Sequence, residues 1–407
     1  MEGKKRSFLK KLKSLLKEFP CVAILGARQV GKSTLLKEFL PKANFLDLEK
    51  QADLDKIEPD PDFFLAKQNQ TLIIDEAQIC PKLFPALRVA IDAKRNQAGS
   101  FIISGSSSPE LLSNISESLA GRVVIVELST FSLEEAFSKL GLNEDLDLTD
   151  KEKVLARKKA FTYEEVLDSC LHGAYPEPFL KRDSKEFYAN WCESYIKTYI
   201  ERDVRSLFPG LKLDSYRRFI QMLASASGDI INFAKFASSL DVSQPTIKKY
   251  FEIAEGTFLW RKLPSYHQNS AKTVIKAPKG FFRDSLLSNY FLKISNVDSL
   301  LAHPNFGQIW ESFIIEQIIK VQSLTLYNTD CYYYRTKSRA EVDLIIDSPG
   351  ALIPVEIKTG SSTKASKLVA LKNFIEEYNC PYGIVINNSE ELDYLSEKII
   401  QLPVSFL

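Results

Sequence analysis

Eight consecutive residues near the start of the chain have the types and spacing that can hold a phosphate group. The stretch from Gly26 to Ser33 reads G-x-x-x-x-G-K-S. Glycines let the backbone curl so that its N–H groups point inward at phosphate oxygens, and the N-terminus of a following helix adds a favourable dipole. The lysine of such a loop reaches the β- and γ-phosphates of a nucleoside triphosphate, and the serine hydroxyl lies on Mg²⁺. The residues predicted to bind ATP or GTP are Gly26, Ala27, Arg28, Gln29, Val30, Gly31, Lys32, Ser33 and Thr34.

Two adjacent carboxylates, Asp75 and Glu76, follow an apolar run downstream of this loop. This is a Walker B pattern, in which the first carboxylate holds Mg²⁺ through water and the second orients and polarises the attacking water. The predicted metal ligands are therefore Ser33 and Asp75. The predicted catalytic residues include Lys32 and Glu76.

Strands and helices must alternate along the chain to bring these residues together. The apolar run 21–25 leads into the glycine loop, and residues 34–40 continue it as a helix. Further strands are predicted to start at residues 44, 71, 101 and 123, with a helix over 83–94. This alternation favours an α/β fold with a doubly wound parallel sheet. Ser104 or Ser106, after the strand at 101, is the candidate for a polar residue that senses the γ-phosphate, and Ser104 is counted among the predicted catalytic residues.

The sequence Leu119-Ala120-Gly121-Arg122 immediately precedes the last of these strands. Together with the glycine loop, the Asp75–Glu76 pair and Ser104, it makes the chain resemble the AAA+ ATPase superfamily. More narrowly, the chain resembles bacterial and archaeal AAA+ proteins that read G-x-R-Q-x-G-K-[ST], D-E-A-Q and L-A-G-R. The resemblance implies a homo-oligomer in which Arg122 acts as an arginine finger on the neighbouring subunit's γ-phosphate. The alternative for Arg122 is a surface arginine beside a helix C-terminus.

A turn over 173–178 and a predicted long helix over 191–207 resemble the same AAA+ group, in which this region forms a helical lid. Residues 141–230 are predicted to form a charged linker and a helical lid, and residues 231–300 a winged helix and connector. Within the winged helix, helices over 232–240 and 245–254 flank a turn, and strands over 258–263 and 273–277 supply the wing. The side chains that could donate hydrogen bonds to DNA or RNA are Gln244, Lys248 and Lys249. Protein docking and a purely structural role remain alternatives, because sequence fixes this shape better than its partner.

Four residues in the last third of the chain could cleave or bind a phosphodiester. Asp343 lies near the start of an apolar strand, and Glu356 and Lys358 share one face of the next strand because side chains alternate with a period of two. Two carboxylates can hold a divalent metal while a lysine stabilises charge. The spacing resembles the PD-(D/E)xK nuclease superfamily over residues 301–407, with Glu311 matching its first acidic residue and Val342 replacing its proline. A nuclease-like domain that only binds is the alternative.

Composition limits the remaining classes of function. The chain has 407 residues, a net charge of +1 and six cysteines without C-x-x-C spacing, so a disulfide framework and a zinc site are not expected. Residues 1–20 are predicted to form a basic amphipathic helix, whose apolar residues are too interrupted by lysines for a secretory signal. No apolar run is long enough to span a bilayer. A cytoplasmic location is expected. The near-neutral charge confines nucleic-acid binding to local patches.

Three functions remain open. The first is Mg²⁺-dependent ATP hydrolysis by an AAA+ core (residues 21–140) coupled to binding or processing of nucleic acid. The second is a nucleotide-gated switch whose C-terminal domain only binds a partner. The third is a scaffold that assembles on ATP with negligible turnover. The presence of Glu76 and Arg122 favours turnover over the scaffold.

Overall fold

The computed structural model describes residues 4–106, 114–115, 117–139, 147–199, 204–205, 208–267, 275–325, 329–363 and 368–407. The chain divides into two compact units. The first comprises Met1–Thr130 with Gly256–Phe258, and the second comprises Phe131–Glu255 with Leu259–Leu407. None of the described helices is long and apolar enough to cross a membrane.

Five described strands form the sheet of the first unit, and all their pairings are parallel. Their order is β2-β3-β4-β1-β5, so the predicted α/β class with a parallel sheet is confirmed. Strands β1 and β3 are completely buried, as apolar strands covered on both faces should be. The strands are β1 (Cys21–Gly26), β2 (Asn44–Asp47), β3 (Leu72–Asp75), β4 (Phe101–Ser106) and β5 (Val123–Glu127).

The helices of the first unit lie before and between these strands and set the positions of the strand ends. An amphipathic helix precedes β1 and buries Phe8 and Leu12. The helix after the glycine loop begins at Lys32, which brings its N-terminus to the carboxyl edge of the sheet. The helices are α1 (Phe8–Glu18), α2 (Lys32–Phe39), α3 (Gln51–Ile57), α4 (Pro61–Ala66) and α5 (Leu83–Ala93).

The second unit joins a helical region to a mixed sheet. Its helices before the sheet are α6 (Leu133–Ala136), α7 (Lys151–Leu155), α8 (Tyr163–His172), α9 (Pro176–Leu180), α10 (Lys185–Thr198), α11 (Leu213–Ser225), α12 (Phe233–Leu240), α13 (Gln244–Gly256), α14 (Ser285–Phe291), α15 (Val297–Leu301) and α16 (Phe306–Gln322). Capping boxes at Ser132, Thr162 and Asn296 begin three of them. Of the predicted linker, residues 141–146 lie outside the described ranges.

Helices α12 and α13 flank a tight turn in which Asp241 takes a left-handed conformation at φ 53°. An antiparallel pair follows, formed by β6 (Trp260–Leu263) and β7 (Lys279–Phe282). The second strand therefore begins beyond the predicted range 273–277, of which residues 273 and 274 lie outside the described ranges. The pairing of Trp260 with Phe282 explains the shift, because it seats two large rings of the hydrophobic core against each other.

Six described strands form the sheet of the second unit in the order β12-β13-β11-β10-β9-β8. Strands β9 and β10 pair antiparallel, as the predicted hairpin requires, and β10, β11 and β13 are parallel to one another. Helix α17 contacts β9, β10 and β11. The elements are β8 (Asp330–Arg335), β9 (Glu341–Ser348), β10 (Ala351–Ile357), α17 (Val369–Glu377), β11 (Gly383–Asn387), β12 (Asp393–Ser396) and β13 (Ile399–Pro403).

Candidate functional site

The two glycines of the predicted phosphate loop are needed for different reasons. Gly31 has φ 95°, a left-handed conformation that favours glycine. Gly26 has no such angle, but a Cβ atom there would lie 2.2 Å from the carbonyl oxygen of Leu128. The loop therefore closes tightly at its helix end and packs against backbone at its strand end.

Lys32 and Ser33, the first residues of α2, lie at the mouth of this loop. The Lys32 Nζ donates to the carbonyl oxygens of Gly26 at 2.8 Å and Ala27 at 3.0 Å. Burial lowers the pKa of the Lys32 ammonium, while the carboxylates of Glu76 and Asp75 act to raise it. The ammonium is thus held beside the backbone that would surround a phosphate group.

Asp75 joins three elements of the sheet edge. The Ser33 hydroxyl donates to its Oδ2, and the Ser104 hydroxyl donates to its Oδ1 at 2.6 Å. The carboxylate belongs to β3 and is buried, with 3% of the residue exposed. A hydroxyl beside a carboxylate is an oxygen pair of the kind that Mg²⁺ prefers, so Ser33 and Asp75 fit the predicted metal.

Glu76 has a strained backbone and a well-defined set of partners. Its φ of 54° is left-handed, which is uncommon for a residue with a side chain and tends to occur at functional sites. Its Oε2 accepts hydrogen bonds from the Ser106 N–H at 3.2 Å, the Ser106 hydroxyl at 3.1 Å and the Gln78 side-chain amide. Ser104 and Ser106 therefore have separate partners, Asp75 and Glu76. The sequence offered the two serines as alternatives, and it included Gln78 in the D-E-A-Q motif without indicating a role for it.

Other residues of the loop differ in accessibility. Val30 and Ala27 are buried, and Thr34 is exposed. The Arg28 guanidinium contacts the Glu49 carboxylate at 3.2 Å. Gln29 has φ 64°, a second left-handed residue inside the loop.

Arg122 forms a fork with Asp92 of α5. Its Nε and Nη2 donate to the two carboxylate oxygens of Asp92 at 2.7 and 3.0 Å, and its Nη1 donates to the Ala120 carbonyl oxygen at 3.2 Å. The arginine side chain is 31% exposed. Arg122 is thus anchored at the surface of its own unit.

The three strand residues predicted to form a cleft in the second unit do lie together. The Asp343 Oδ2 accepts a hydrogen bond from the Ile357 N–H at 2.7 Å and lies 4.0 Å from the Lys358 Nζ. The Lys358 Nζ donates to the Glu356 Oε1. The Glu356 Oε2 is buried without a hydrogen-bond partner.

A second lysine, which no sequence motif indicates, joins this group. Lys279 of β7 is buried, and its Nζ lies 2.8 Å from the Glu311 Oε1 and 2.5 Å from the Glu341 Oε1. Its charge also acts on Asp343. We call these six residues the carboxylate–lysine cluster: Lys279, Glu311, Glu341, Asp343, Glu356 and Lys358.

Burial dominates the acid–base behaviour of the cluster. Burial first, and then the charge of Asp343, raise the pKa of Glu311 to about 7 and that of Glu356 to about 8. Burial acts to lower the pKa of the Lys279 ammonium, but the negative charges of Glu311, Asp343 and Glu341 outweigh burial, and the pKa is raised. Each carboxylate is therefore either neutralised by a lysine or inclined to hold a proton.

The donor chemistry of the cluster suits a divalent cation, but its arrangement does not. Within the described ranges, no set of three or more His, Cys, Asp or Glu side chains could hold a metal ion. The Lys279 ammonium already lies between Glu311 and Glu341. The residues of this cleft therefore do not fit a metal as they stand.

The raised pKa of Glu356 predicts that the second unit loses stability as pH rises. The pKa of a glutamate is ordinarily 4.5, and that of Glu356 in the folded protein is raised to about 8. Between these two pH values only the folded state holds the proton, so the stability that this proton contributes is lost as the pH rises towards 8. Glu311 shifts in the same direction. We expect Glu356→Gln to be more stable than the wild type at pH 8, with a smaller difference at pH 5.

Tryptophan fluorescence measures this effect selectively, because Trp191, Trp260 and Trp310 all lie in the second unit. Denaturation would be followed at both pH values. The exposed Glu376→Gln provides the matched control and should unfold like the wild type. An equal pH dependence in Glu356→Gln and the wild type would contradict the assignment.

The side chains predicted to touch nucleic acid lie at the start of α13. Gln244, Lys248 and Lys249 are all exposed. The Lys248 Nζ lies 6.0 Å from the centre of the Phe233 ring, and the Lys249 Nζ lies 6.0 Å from that of Phe208. The two ammonium groups thus lie beside aromatic rings and remain accessible.

Three family models match consecutive parts of the chain. A model described as an AAA domain matches residues 18–137. Two domains of unknown function, DUF8612 and DUF4143, match residues 163–298 and 306–407. The first match includes the glycine loop, Asp75 and Glu76, so the first unit is a nucleotide-binding domain of the AAA ATPases.

Solved structures with related folds show only weak similarity. A Walker-type ATPase of Pyrococcus abyssi is 17% identical to this chain and has a TM-score of 0.39. The match covers 70% of this chain and 94% of the ATPase chain. The RuvB Holliday junction branch migration motor of Thermotoga maritima is 17% identical to this chain and has a TM-score of 0.29. The match covers 63% of this chain and 88% of the RuvB chain.

Two mycobacterial proteins match nearly the whole chain. The uncharacterized proteins Rv2008c of Mycobacterium tuberculosis and Mb2031c of Mycobacterium bovis are each 31% identical over 402 residues, which is 98% of this chain and 83% of each relative. The similarity therefore extends through both units and is not confined to the AAA domain. The chain, in which an AAA domain precedes the domains DUF8612 and DUF4143, belongs to the same family as these two proteins.

Proposed function

We propose that this protein hydrolyses ATP with Mg²⁺ at the loop Gly26–Ser33. The observation that supports this most directly is the pair of hydroxyls, Ser33 and Ser104, that bind the two oxygens of Asp75. The loop, the Walker B strand and the strand between them thereby converge on one carboxylate. Glu76 follows Asp75 and is held by Ser106. The test is ATP turnover by the purified full chain, measured with and without DNA or RNA.

Each residue has a separate role in this proposal. Lys32 leaves the carbonyl oxygens of Gly26 and Ala27 to bind the β- and γ-phosphates. Ser33 and Asp75 hold Mg²⁺, which neutralises charge that develops on the phosphate oxygens. Glu76 orients and polarises water, and Ser104 senses the γ-phosphate through its place beside Asp75.

We propose further that the protein assembles with itself and that Arg122 completes a neighbour's site. An arginine finger contributes on the order of 10³-fold or more in rate. We therefore expect Arg122→Ala and Glu76→Gln to be nearly inactive separately and to recover turnover when mixed. At one of the two kinds of mixed interface, Arg122 of a Glu76→Gln subunit then reaches the intact site of an Arg122→Ala subunit. Turnover is measured after co-assembly is established with two affinity tags.

Asp92→Asn provides the matched control, because it breaks the fork and leaves the arginine in place. A finger tolerates this change, since the guanidinium needs only to reach the neighbour. If Asp92→Asn loses as much turnover as Arg122→Ala and co-assembled mixtures stay inactive, Arg122 is a structural residue of its own unit.

Nucleic acid is the partner that we propose for α12 and α13, in a winged-helix arrangement with β6 and β7. The exposed Gln244, Lys248 and Lys249 support this proposal, because they offer donors at the start of the second helix. Fluorescence anisotropy with labelled duplex DNA and with RNA tests it. Loss of binding in the double variant Lys248→Ala/Lys249→Ala, with a shallower salt dependence, would support contact with phosphates.

For the C-terminal domain, we propose a nuclease-like fold that serves as a binding module gated by nucleotide. Lysine neutralisation of the carboxylate–lysine cluster favours this function over cleavage. Cleavage is the second candidate, favoured by the convergence of Asp343, Glu356 and Lys358 and by the unpartnered Glu356 Oε2. A binding module and a nuclease are expected to differ in metal binding as well as in cleavage of nucleic acid.

Removal of Lys279 is expected to create a metal site in the carboxylate–lysine cluster. In Lys279→Met, three carboxylates lose their shared cation and regain an excess of negative charge. Mn²⁺ binding is measured without nucleotide by electron paramagnetic resonance. We expect one additional bound Mn²⁺ in Lys279→Met, and none when Asp343→Asn is added.

The exposed Lys276→Met serves as the control for loss of a lysine on the same segment. The nuclease would instead be supported by two results together. The wild type would bind Mn²⁺ and lose it in Asp343→Asn, and it would also cut DNA or RNA.

A further inference from the structure

A buried arginine from outside the AAA domain match contacts the phosphate loop. Arg6 precedes α1, and only 7% of its surface is exposed. Its Nη1 donates to the Val30 carbonyl oxygen at 2.9 Å, and its Nη2 donates to the Ser129 carbonyl oxygen at 2.6 Å. The AAA domain match begins at residue 18, so Arg6 itself belongs to none of the motifs described above.

The contact with Val30 fixes a group that would face a phosphate. The peptide bond between Val30 and Gly31 is planar, and its C=O and N–H point in opposite directions. A hydrogen bond that holds the Val30 carbonyl therefore also sets the direction of the Gly31 N–H, one of the donors of the loop. A phosphate bound to that N–H would in turn influence the guanidinium.

The contact with Ser129 reaches the point where the chain leaves the first unit. Residues Leu128, Ser129 and Thr130, here called the exit segment, directly precede the second unit. The Leu128 N–H donates to the Leu25 carbonyl oxygen at 2.8 Å, and the Leu128 carbonyl oxygen fills the space left by the missing side chain of Gly26. The exit segment thus contacts the strand end of the phosphate loop directly, and Arg6 connects it to Val30 near the helix end.

We propose that Arg6 is a positioning residue that couples the phosphate loop to the exit segment. A guanidinium carries donors in a rigid fork, so one side chain can bind two carbonyl oxygens on different segments. Binding of the triphosphate orders the loop, and Arg6 transmits that order to Ser129. The proposal rests on nucleotide binding at the loop and adds the route by which that binding reaches the exit segment.

Hydrogen–deuterium exchange of the full chain tests this coupling with Mg²⁺ and a non-hydrolysable ATP analogue. In the wild type, the analogue should slow exchange in peptides that cover the phosphate loop and in those that cover the exit segment. In Arg6→Met, affinity for the analogue should fall about tenfold. At saturating analogue, the loop should still be protected while the exit segment is not.

Two further variants separate positioning from simple structural support. Arg6→Lys keeps the charge but offers a single point of donation, so it should recover part of the affinity and none of the exit-segment protection. Lys5→Met removes an exposed neighbouring cation and should match the wild type. If Arg6→Met does not fold, Arg6→Lys and the wild type still decide the question.

Protection of the exit segment in Arg6→Met or Arg6→Lys equal to that in the wild type would overturn the proposal. So would a wild type whose exit segment does not respond to bound analogue. Calorimetry on the wild type distinguishes these results from failure of the proposed function, because a protein that binds no nucleotide shows no heat of binding.

Discussion

Replacement of Lys32 by alanine should abolish measurable ATP binding and leave the protein folded. In the structure its ammonium is held by the carbonyl oxygens of Gly26 and Ala27, within the loop that would surround the phosphates. Hydrogen bonds from a cation to phosphate are the strong ones, so affinity should fall on the order of a hundredfold or more. Titration calorimetry with Mg²⁺–ATP measures the affinity, and circular dichroism checks the fold.

Lys42→Ala is the matched control, because this exposed lysine lies just beyond α2 and should not affect affinity. Wild-type affinity in Lys32→Ala would show that the nucleotide is not held by this loop. Loss of the circular dichroism signal would instead show that the buried ammonium is needed for folding, and Lys32→Met would then be the variant to titrate.

Replacement of Glu76 by glutamine should separate hydrolysis from binding. Glutamine has the same shape and can still accept hydrogen bonds from Ser106, so the loop and the backbone at Glu76 should keep their geometry. It cannot polarise water as a carboxylate does, and loss of a general base costs about 10²–10⁴-fold in rate. We expect ATP affinity within about threefold of the wild type and turnover reduced by that factor.

Glu38→Gln, on the exposed face of α2, controls for the loss of one carboxylate near the site. Single-turnover hydrolysis and nucleotide titration are performed on the same samples. Turnover in Glu76→Gln close to that of the wild type would exclude Glu76 as the group that activates water and would direct attention to Asp75.

Local patterns in the sequence predicted much of the first unit. The glycine spacing, the apolar runs on either side and the carboxylates after β3 each have a direct physical reason that a few neighbouring residues express. The parallel sheet follows from the alternation of strands and helices, and it places the carboxyl ends of β1, β3 and β4 on one edge. The meeting of Ser33 with Asp75 is therefore the kind of contact that sequence can predict.

Contacts between distant segments had no such local pattern. Arg6 lies among other basic residues of an amphipathic stretch, and nothing near it in sequence indicates that it is buried against Val30. Lys279 lies at the start of a short strand, and its importance arises only when α16 and β9 bring Glu311 and Glu341 beside it. Arg122 shows the converse, because its motif is visible in sequence while its fork with Asp92 is not.

The strand order of the first unit has a consequence for synthesis of the protein. Strand β1 lies between β4 and β5 in the sheet. Its first residue, Cys21, pairs with Phe101 of β4 on one side and with Val123 of β5 on the other. Roughly 80 residues must therefore leave the ribosome before the first partner arrives, and roughly 100 before the second. During that interval a strand that is wholly buried in the finished protein has both edges unpaired. Chaperones that shield nascent hydrophobic strands should therefore act on this chain early, before its nucleotide loop can take shape.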